Sequence, residues 1–292
     1  MKIACPICKS LKKKNIWHNN VWGGNKNDKF LHCLKCDIVF LHPFPNYKKI
    51  ENFYENNFGT YMRERSSEIN WSDLKKQYID LYNREIPLRS IYIDKFLKKG
   101  SVCDVGCSTG FTLDYIKKKK GFKTFGIEPS LEHLKFINNQ HKIFKDLNEV
   151  DFLFDNIIHY YVLEHVYDPI IFLKNYLLKL KKNGRMLFEI PNRNDALFSL
   201  YNLNHYKDFI MQKMHLFYFS EKSIKFILKK FNVKYKIFKC QRYDLNNHCN
   251  WISKNNFLKD SLCFTKKLNK LYKDEIIKKD YNDHFTIVLT KL

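Results

Sequence analysis

Cys5, Cys8, Cys33 and Cys36 fall as two Cys-x2-Cys pairs with 24 residues between them. Two such pairs set four thiolates on two tight knuckles, the arrangement that encloses a tetrahedral zinc ion. Four cysteines leave no ligand position open, so the expected Zn2+ is structural, in a reducing compartment where thiols persist as ligands. His18 and His32 become surplus as ligands. A second set of residues suited to chemistry lies in S-V-C-D-V-G-C-S-T-G. Asp104, Gly106 and Gly110 are spaced Asp-x-Gly-x-x-x-Gly, with Ser108 between the glycines. Glycine lets the backbone take positive φ and lets a ligand approach the main chain, while Asp104 can accept hydrogen bonds from ligand hydroxyl or amino groups. The pattern is not Gly-x-Gly-x-x-Gly and lacks Gly-Lys-Ser/Thr, which favours a ligand without phosphates. Three histidines could act as a general base toward a hydroxyl, since imidazole titrates closest to neutrality. His165 in V-L-E-H-V-Y-D-P is the first candidate, with His205 and His215, the latter heading H-L-F-Y-F-S, after it.

The elements that must carry these residues alternate. Ser101 to Gly110 reads as a strand and a tight turn, followed by a helix with Phe111, Leu113 and Ile116 inward. Phe122 to Glu128 reads as a second strand, and Ser130 as the cap of the next helix, with Leu131, Leu134 and Ile137 on its inner face. Glu128 closes that strand about 20 residues beyond a glycine loop, where an acid takes both ribose hydroxyls of a nucleoside. The fourth strand, F-D-N-I-I-H-Y-Y, ends at Tyr161. The helix after Pro169 uses Ile170, Leu173, Leu177 and Leu180 and is expected to stop at Asn183-Gly184. A helix over Ser220 to Phe231, a strand over Val233 to Lys239 and a closing antiparallel strand, H-F-T-I-V-L-T-K-L, complete the pattern. This order predicts an α/β chain with a doubly wound, Rossmann-like sheet and ligands at the carboxyl ends of its strands. Three parts are expected: a zinc ribbon over 1–45, a helical linker or cap over 46–98, and a core over 99–292 with an insertion at about 241–282.

Taken together, Asp104, Gly106, Gly110, Glu128 and the V-L-E-H-V-Y-D-P segment resemble the class I S-adenosylmethionine-dependent methyltransferases. The resemblance runs from Lys99 to Asn192. It implies a seven-stranded sheet and S-adenosylmethionine as cofactor, with Ser108 where a third glycine often stands. It also places Asp146 near the adenine and Tyr161 among the cofactor-binding residues. Tyr54 and Tyr61 fall in a segment that overlies the cofactor in similar enzymes. A zinc ribbon ahead of such a core is similar to bacterial enzymes that modify sugars of surface polysaccharides or natural products. The full C-terminal domain of the sugar C-methyltransferases is absent from the pattern, which favours an oxygen acceptor. The implied reaction is methylation of a hydroxyl on a small molecule, a sugar or sugar nucleotide. The alternatives are an RNA or protein methyltransferase docking through its basic surface and ribbon, and a non-catalytic zinc-ribbon binding protein. The fourth strand does not end in Asn/Asp-Pro-Pro-aromatic, which disfavours base or amide nitrogen as acceptor. No Cys-x3-Cys-x2-Cys is present for a radical iron–sulfur enzyme. Cys103, Cys240, Cys249 and Cys263 read as incidental thiols.

The composition bounds the partners. The chain has 292 residues, 45% of them hydrophobic, enough for one full α/β domain and an appendage. A formal charge of +22 invites a nucleic-acid partner, but arginine supplies only seven of the 52 basic residues and the lysines are spread over the chain. Arginine is the residue of bidentate phosphate and base contacts, so its scarcity argues against a nucleic-acid site. No run approaches a membrane span and the start lacks the apolar core of a signal peptide, so a cytoplasmic protein is expected.

Overall fold

The computed structural model describes residues 3–12, 14–65, 72–137, 141–253 and 264–292. The chain begins with three antiparallel strands, β1 (Asn15–His18), β2 (Lys29–Cys33) and β3 (Ile38–His42). Helices α1 (Tyr47–Asn56), α2 (Phe58–Arg65) and α3 (Leu74–Phe96) follow. Asn46 and Asp73 start α1 and α3 because their side-chain oxygens accept from backbone N–H groups of the first turn. Strands and helices then alternate through β4 (Gly100–Val105), α4 (Phe111–Lys117), β5 (Phe122–Ile127), α5 (Leu131–Phe136), β6 (Lys142–Phe144), β7 (Phe154–Tyr160), α6 (Pro169–Leu178) and β8 (Leu180–Pro191). The last part holds α7 (Ala196–Ser199), α8 (Asn204–Ile210), β9 (Phe217–Tyr218), α9 (Glu221–Leu228), β10 (Val233–Cys240), α10 (Leu245–Ser253), α11 (Lys266–Lys278) and β11 (His284–Lys291).

Seven strands form one sheet in the order β10-β11-β8-β7-β4-β5-β6. The pairs from β8 to β6 are parallel, and β11 runs antiparallel to both its neighbours. The central strands are buried on both faces, which is why they read as continuous apolar runs such as Ile157-Ile158 and Met186-Leu187-Phe188. Strand order reverses beside β4, and a crevice opens there at the carboxyl ends of β4, β5 and β7. This is the α/β, Rossmann-like sheet that the alternation predicts.

Two local expectations fail. Helix α6 ends at Leu178 rather than at Asn183-Gly184, because Leu180 already pairs with Phe154 of β7. From there β7 advances two residues while β8 advances five, so Asn183, at φ 60°, turns the chain inside a bulge of β8. Leu131 does not face inward: it is 49% exposed, and His133 is buried in its place. The His133 ring lies 3.0 Å from Ser130 Oγ and 3.3 Å from the Gln77 amide of α3, so a polar contact fixes the inner face of this short helix.

The amino-terminal sheet is not self-contained. Its order is β1-β2-β3-β9, and β9 comes from the far end of the chain, Val39 pairing with Tyr218 and Phe40 with Phe217. Phe30, Ile38 and Phe40 belong to the same buried cluster as Phe217, Ile157 and Phe188. Asp37 adds a polar tie, accepting from His32 Nε2 at 2.8 Å, an Arg193 guanidinium N–H at 2.7 Å and Ser220 Oγ at 2.6 Å. These partners hold its carboxyl well below the usual range despite burial. Among the described residues no helix is long and apolar enough to cross a membrane.

Candidate active site

The glycine loop joins β4 to α4. Gly106 and Gly110 stand at φ 70° and 80°, and Ser108 adopts φ 51°, the conformation a third glycine would take without strain. A Cβ on Gly106 would lie 3.0 Å from Val162 Cγ2, so the loop also packs too closely for a larger residue. Glu128, one residue past β5, holds the loop in shape. Its two carboxylate oxygens accept from the backbone N–H of Ser108 at 2.7 Å and of Ser130 at 3.0 Å. Each oxygen keeps a lone pair for a ligand hydroxyl. Asp104 is buried across the turn, and burial pushes both Asp104 and Glu128 up to about 7, against the pull of Arg89 on Asp104 and of the two backbone N–H groups on Glu128. Two carboxyls poised in this way suit a ligand that brings hydrogen-bond donors.

These residues line a cavity of about 800 Å³, within the range of small-molecule sites. Asp104, Gly106, Ser108, Glu128, Asp146 and Tyr161 all border it. Gly110 caps the start of α4 behind the loop and is not on the wall. Asp146 is exposed and caps a short helical turn by accepting from Asn148 N–H. Tyr161, at φ 56°, donates its backbone N–H to Glu189 O, and its ring sits under Arg242.

Two of the three candidate histidines, His165 and His215, line the same cavity. His165 Nδ1 lies 2.9 Å from the Met214 carbonyl, which can only accept, so Nδ1 carries the proton and Nε2 the lone pair. The Tyr54 hydroxyl lies 2.7 Å from the same Nδ1. Tyr218 OH donates to the Ile210 carbonyl and so accepts from His215 Nδ1–H at 2.9 Å, which leaves His215 the same tautomer. The two imidazole rings are 4.6 Å apart at 76°. Gln212 links this pair to the helices, its amide 2.8 Å from His215 Nε2 and its Oε1 accepting from Tyr61 OH at 2.9 Å. Both Tyr54 and Tyr61 border the cavity, with their hydroxyls tied to His165 and Gln212. His205 does not: its Nε2 donates to the Trp251 carbonyl and its ring stacks on that indole.

Several lining residues carry no signal in the sequence. Glu85 and Arg89 come from α3 and Arg242 from the segment after β10. Arg242 meets Glu85 at 2.9 Å and Glu189 at 3.7 Å, and the Arg89 guanidinium lies 3.8 Å over the Tyr160 ring. Glu85 and Arg242 are 157 positions apart, a pairing that no local pattern encodes. Glu164 lines an adjoining smaller cavity; it stands beside His165 in the V-L-E-H run, and only its complete burial was hidden.

The four cysteines converge. Cys5 Sγ is 3.6 Å from Cys36 Sγ and Cys8 Sγ is 3.6 Å from Cys33 Sγ, all four lying within 4.8 Å of one another. Sulfurs at about 2.3 Å from a tetrahedral ion sit about 3.8 Å apart, far from the roughly 2.05 Å of a disulfide. After each pair the chain turns in the same way: Lys9 and Asp37 take φ 56° and 63° and donate backbone N–H to Cys5 O and Cys33 O. The residues fit a structural zinc ion. Of the other thiols, Cys103 and Cys240 are buried, Cys249 is half-buried and Cys263 lies outside the described residues.

Comparison with known proteins agrees with this geometry. No curated protein matches the chain in sequence. Among solved structures, a chain of the complex between the Haloferax volcanii Trm112 methyltransferase activator and a methyltransferase superposes with a TM-score of 0.54 at 12% identity, covering 80% of this chain and 97% of its own. A Thermotoga maritima S-adenosylmethionine-dependent methyltransferase, described as a possible histamine N-methyltransferase, gives 0.52 at 16% identity over 83% and 100%. The plantazolicin methyltransferase BamL, bound to a triazolic desmethyl analogue and S-adenosylhomocysteine, gives 0.50 at 16% over 84% and 99%. At these identities the likeness is one of fold. A family described as methyltransferase domain matches residues 71–235, more than half of the chain. The glycine loop, the acid after β5 and this match lead to one conclusion: the chain belongs to the methyltransferase domain family and is an S-adenosylmethionine-dependent methyltransferase.

Proposed function

We propose that the protein transfers the methyl group of S-adenosylmethionine to a hydroxyl of a small molecule of the sugar or sugar-nucleotide class. The observation that carries the reading is one cavity lined by two unlike groups of residues. Asp104, the glycine loop and Glu128 form one group of its lining residues, suited to the adenosine and its ribose; His165, His215, Tyr54 and Tyr61 form the other. Methyl transfer is an in-line displacement at an activated carbon, so alignment and exclusion of water do most of the work. In our reading Glu128 takes the ribose hydroxyls, Asp104 and the backbone around Gly106 and Ser108 hold the methionine part, and Asp146 and Tyr161 border the adenosine. His165 meets the acceptor oxygen through Nε2, and His215 does so once the Gln212 amide has turned away from its Nε2. The polar, aromatic wall suits the two faces of a sugar ring. The relatives of similar fold are named for other acceptors, so this assignment rests on the pocket.

The four cysteines, in the same reading, hold a structural Zn2+ that fixes residues 1–45 as a ribbon. Residues 46–98 form the cap over the cavity, and 99–292 the transferase core. The direct test is incubation with S-adenosylmethionine and a panel of sugar nucleotides, read by mass spectrometry. Gain of one methyl on oxygen is the expected result. Methylation confined to amines or carbon, or no turnover of any hydroxylated acceptor, would refute the assignment.

A further inference from the structure

Glu164 is fully buried, and neither carboxylate oxygen has a hydrogen-bond partner. Its nearest basic neighbour, His165 Nε2, is 3.9 Å from Oε1, beyond hydrogen-bond reach. A buried carboxylate that lacks a hydrogen-bond partner is strongly disfavoured in its ionised form. What surrounds it is informative. Glu164, His165 and His215 each bring one donor atom to a common point, within 4.8 Å of one another. The tautomers match, since each Nδ1–H is committed, to the Met214 carbonyl and to the Tyr218 hydroxyl. Anchoring of the remote nitrogen by a carbonyl or hydroxyl is how metal-binding histidines are oriented.

We infer that Glu164, His165 and His215 form a site for a divalent first-row transition-metal ion. Such an ion bonds imidazole nitrogen and carboxylate oxygen at about 2.0–2.2 Å, so neighbouring donors lie about 3.0–3.4 Å apart and these three must converge by roughly an ångström. Two imidazoles with one carboxylate favour Mn2+, Fe2+, Co2+ or Zn2+ over Mg2+ or Ca2+, which prefer all-oxygen sets. The Gln212 amide, 2.8 Å from His215 Nε2, would have to turn away. All three side chains line a smaller cavity of about 250 Å³, and His165 and His215 line the large one as well.

This inference rests on the proposed methylation of a hydroxyl and supplies the means of activating it. A hydroxyl bound to the ion becomes more acidic and releases its proton to solvent. The oxygen lone pair then forms the new C–O bond as the S–CH3 bond breaks, and the sulfonium leaves as the neutral thioether of S-adenosylhomocysteine. The imidazoles act through the ion in this form of the site and take no proton themselves.

The test uses the full chain with zinc already bound at the cysteines. Mn2+ is the probe, because it competes poorly for thiolates, and its binding is read from loss of the free-ion electron paramagnetic resonance signal. One Mn2+ per chain is expected, with the dissociation constant rising more than tenfold in Glu164→Gln and in His215→Gln. Calorimetry with S-adenosylhomocysteine on each variant reports that the fold persists; if Glu164→Gln loses that binding, His215→Gln carries the test. Absence of bound Mn2+ in the parent chain, or binding that the substitutions leave unchanged, overturns the metal site. Neither result touches the acceptor assignment, since no acceptor is present in the titration.

Discussion

At the scale of single residues the site turns on two buried carboxyls. Glu128 both shapes the glycine loop, through Ser108 N–H at 2.7 Å, and faces the cavity. Replacing it with alanine removes the acceptors of two backbone donors and, in the proposed reading, of the ribose hydroxyls. Glu128→Ala is expected to weaken S-adenosylhomocysteine binding by about 1–3 kcal/mol in calorimetry; an unchanged affinity would show that the ribose lies elsewhere. The pH dependence follows from the same groups. Asp104 and Glu128 stand near 7 in the free protein because burial disfavours their charged forms. A ligand that donates to them favours the ionised state, so binding below that point requires loss of a proton. Affinity should therefore rise between about pH 6 and 8, by up to about tenfold per unit for each group that must ionise. A flat profile would mean the carboxyls are not in contact with the ligand.

At the scale of elements, the strand β9 joins two parts of the chain that the sequence presents as separate. It closes the sheet begun by β1, β2 and β3, and it follows His215 by one residue. Leu41 N–H donates to Leu216 O, and Leu216 and Phe217 donate to Glu164 O, so the cysteine-bearing sheet and the turn carrying His165 grip the same short segment. Loss of the proposed zinc should therefore be felt around His165 and His215. Cys33→Ser is expected to lower zinc content measured by elemental analysis and to reduce methyl transfer more than it reduces S-adenosylhomocysteine affinity. Full activity without zinc would uncouple the ribbon from the pocket. The alternation of strands and helices, and the closing antiparallel strand, were legible because buried parallel strands need apolar runs and amphipathic helices between them. The end of α6 was not. Asn-Gly signals a turn, but the same two residues serve a bulge equally well, and pairing of Leu180 with Phe154 decides between them.

At the scale of the whole molecule, one buried cluster runs from Phe30 and Phe40 through Phe217 to Ile157 and Phe188. A continuous core melts cooperatively. Thermal unfolding of the zinc-loaded chain should give one transition, which S-adenosylhomocysteine at a hundred times its dissociation constant raises by about 2.7 kcal/mol of added stability. A separate early transition for residues 1–45 would contradict the shared core. The chain carries its +22 formal charge as dispersed lysine, while buried Arg89 and half-buried Arg242 are matched by Glu85 and Glu189 inside the fold.

By itself the sequence determined the α/β class, the glycine turn with its flanking acids and the pairing of four cysteines, because each depends on residue types at short, fixed spacings. The positions around His165 and His215 had no such code. Tyr54, Glu164, His165, Gln212 and His215 meet only when α1, the turn after β7 and the segment before β9 are packed together, and Glu85 reaches Arg242 only across the whole sheet. Local chemistry sets which groups can bind; long-range packing sets which of them share a pocket, and burial then fixes their charge.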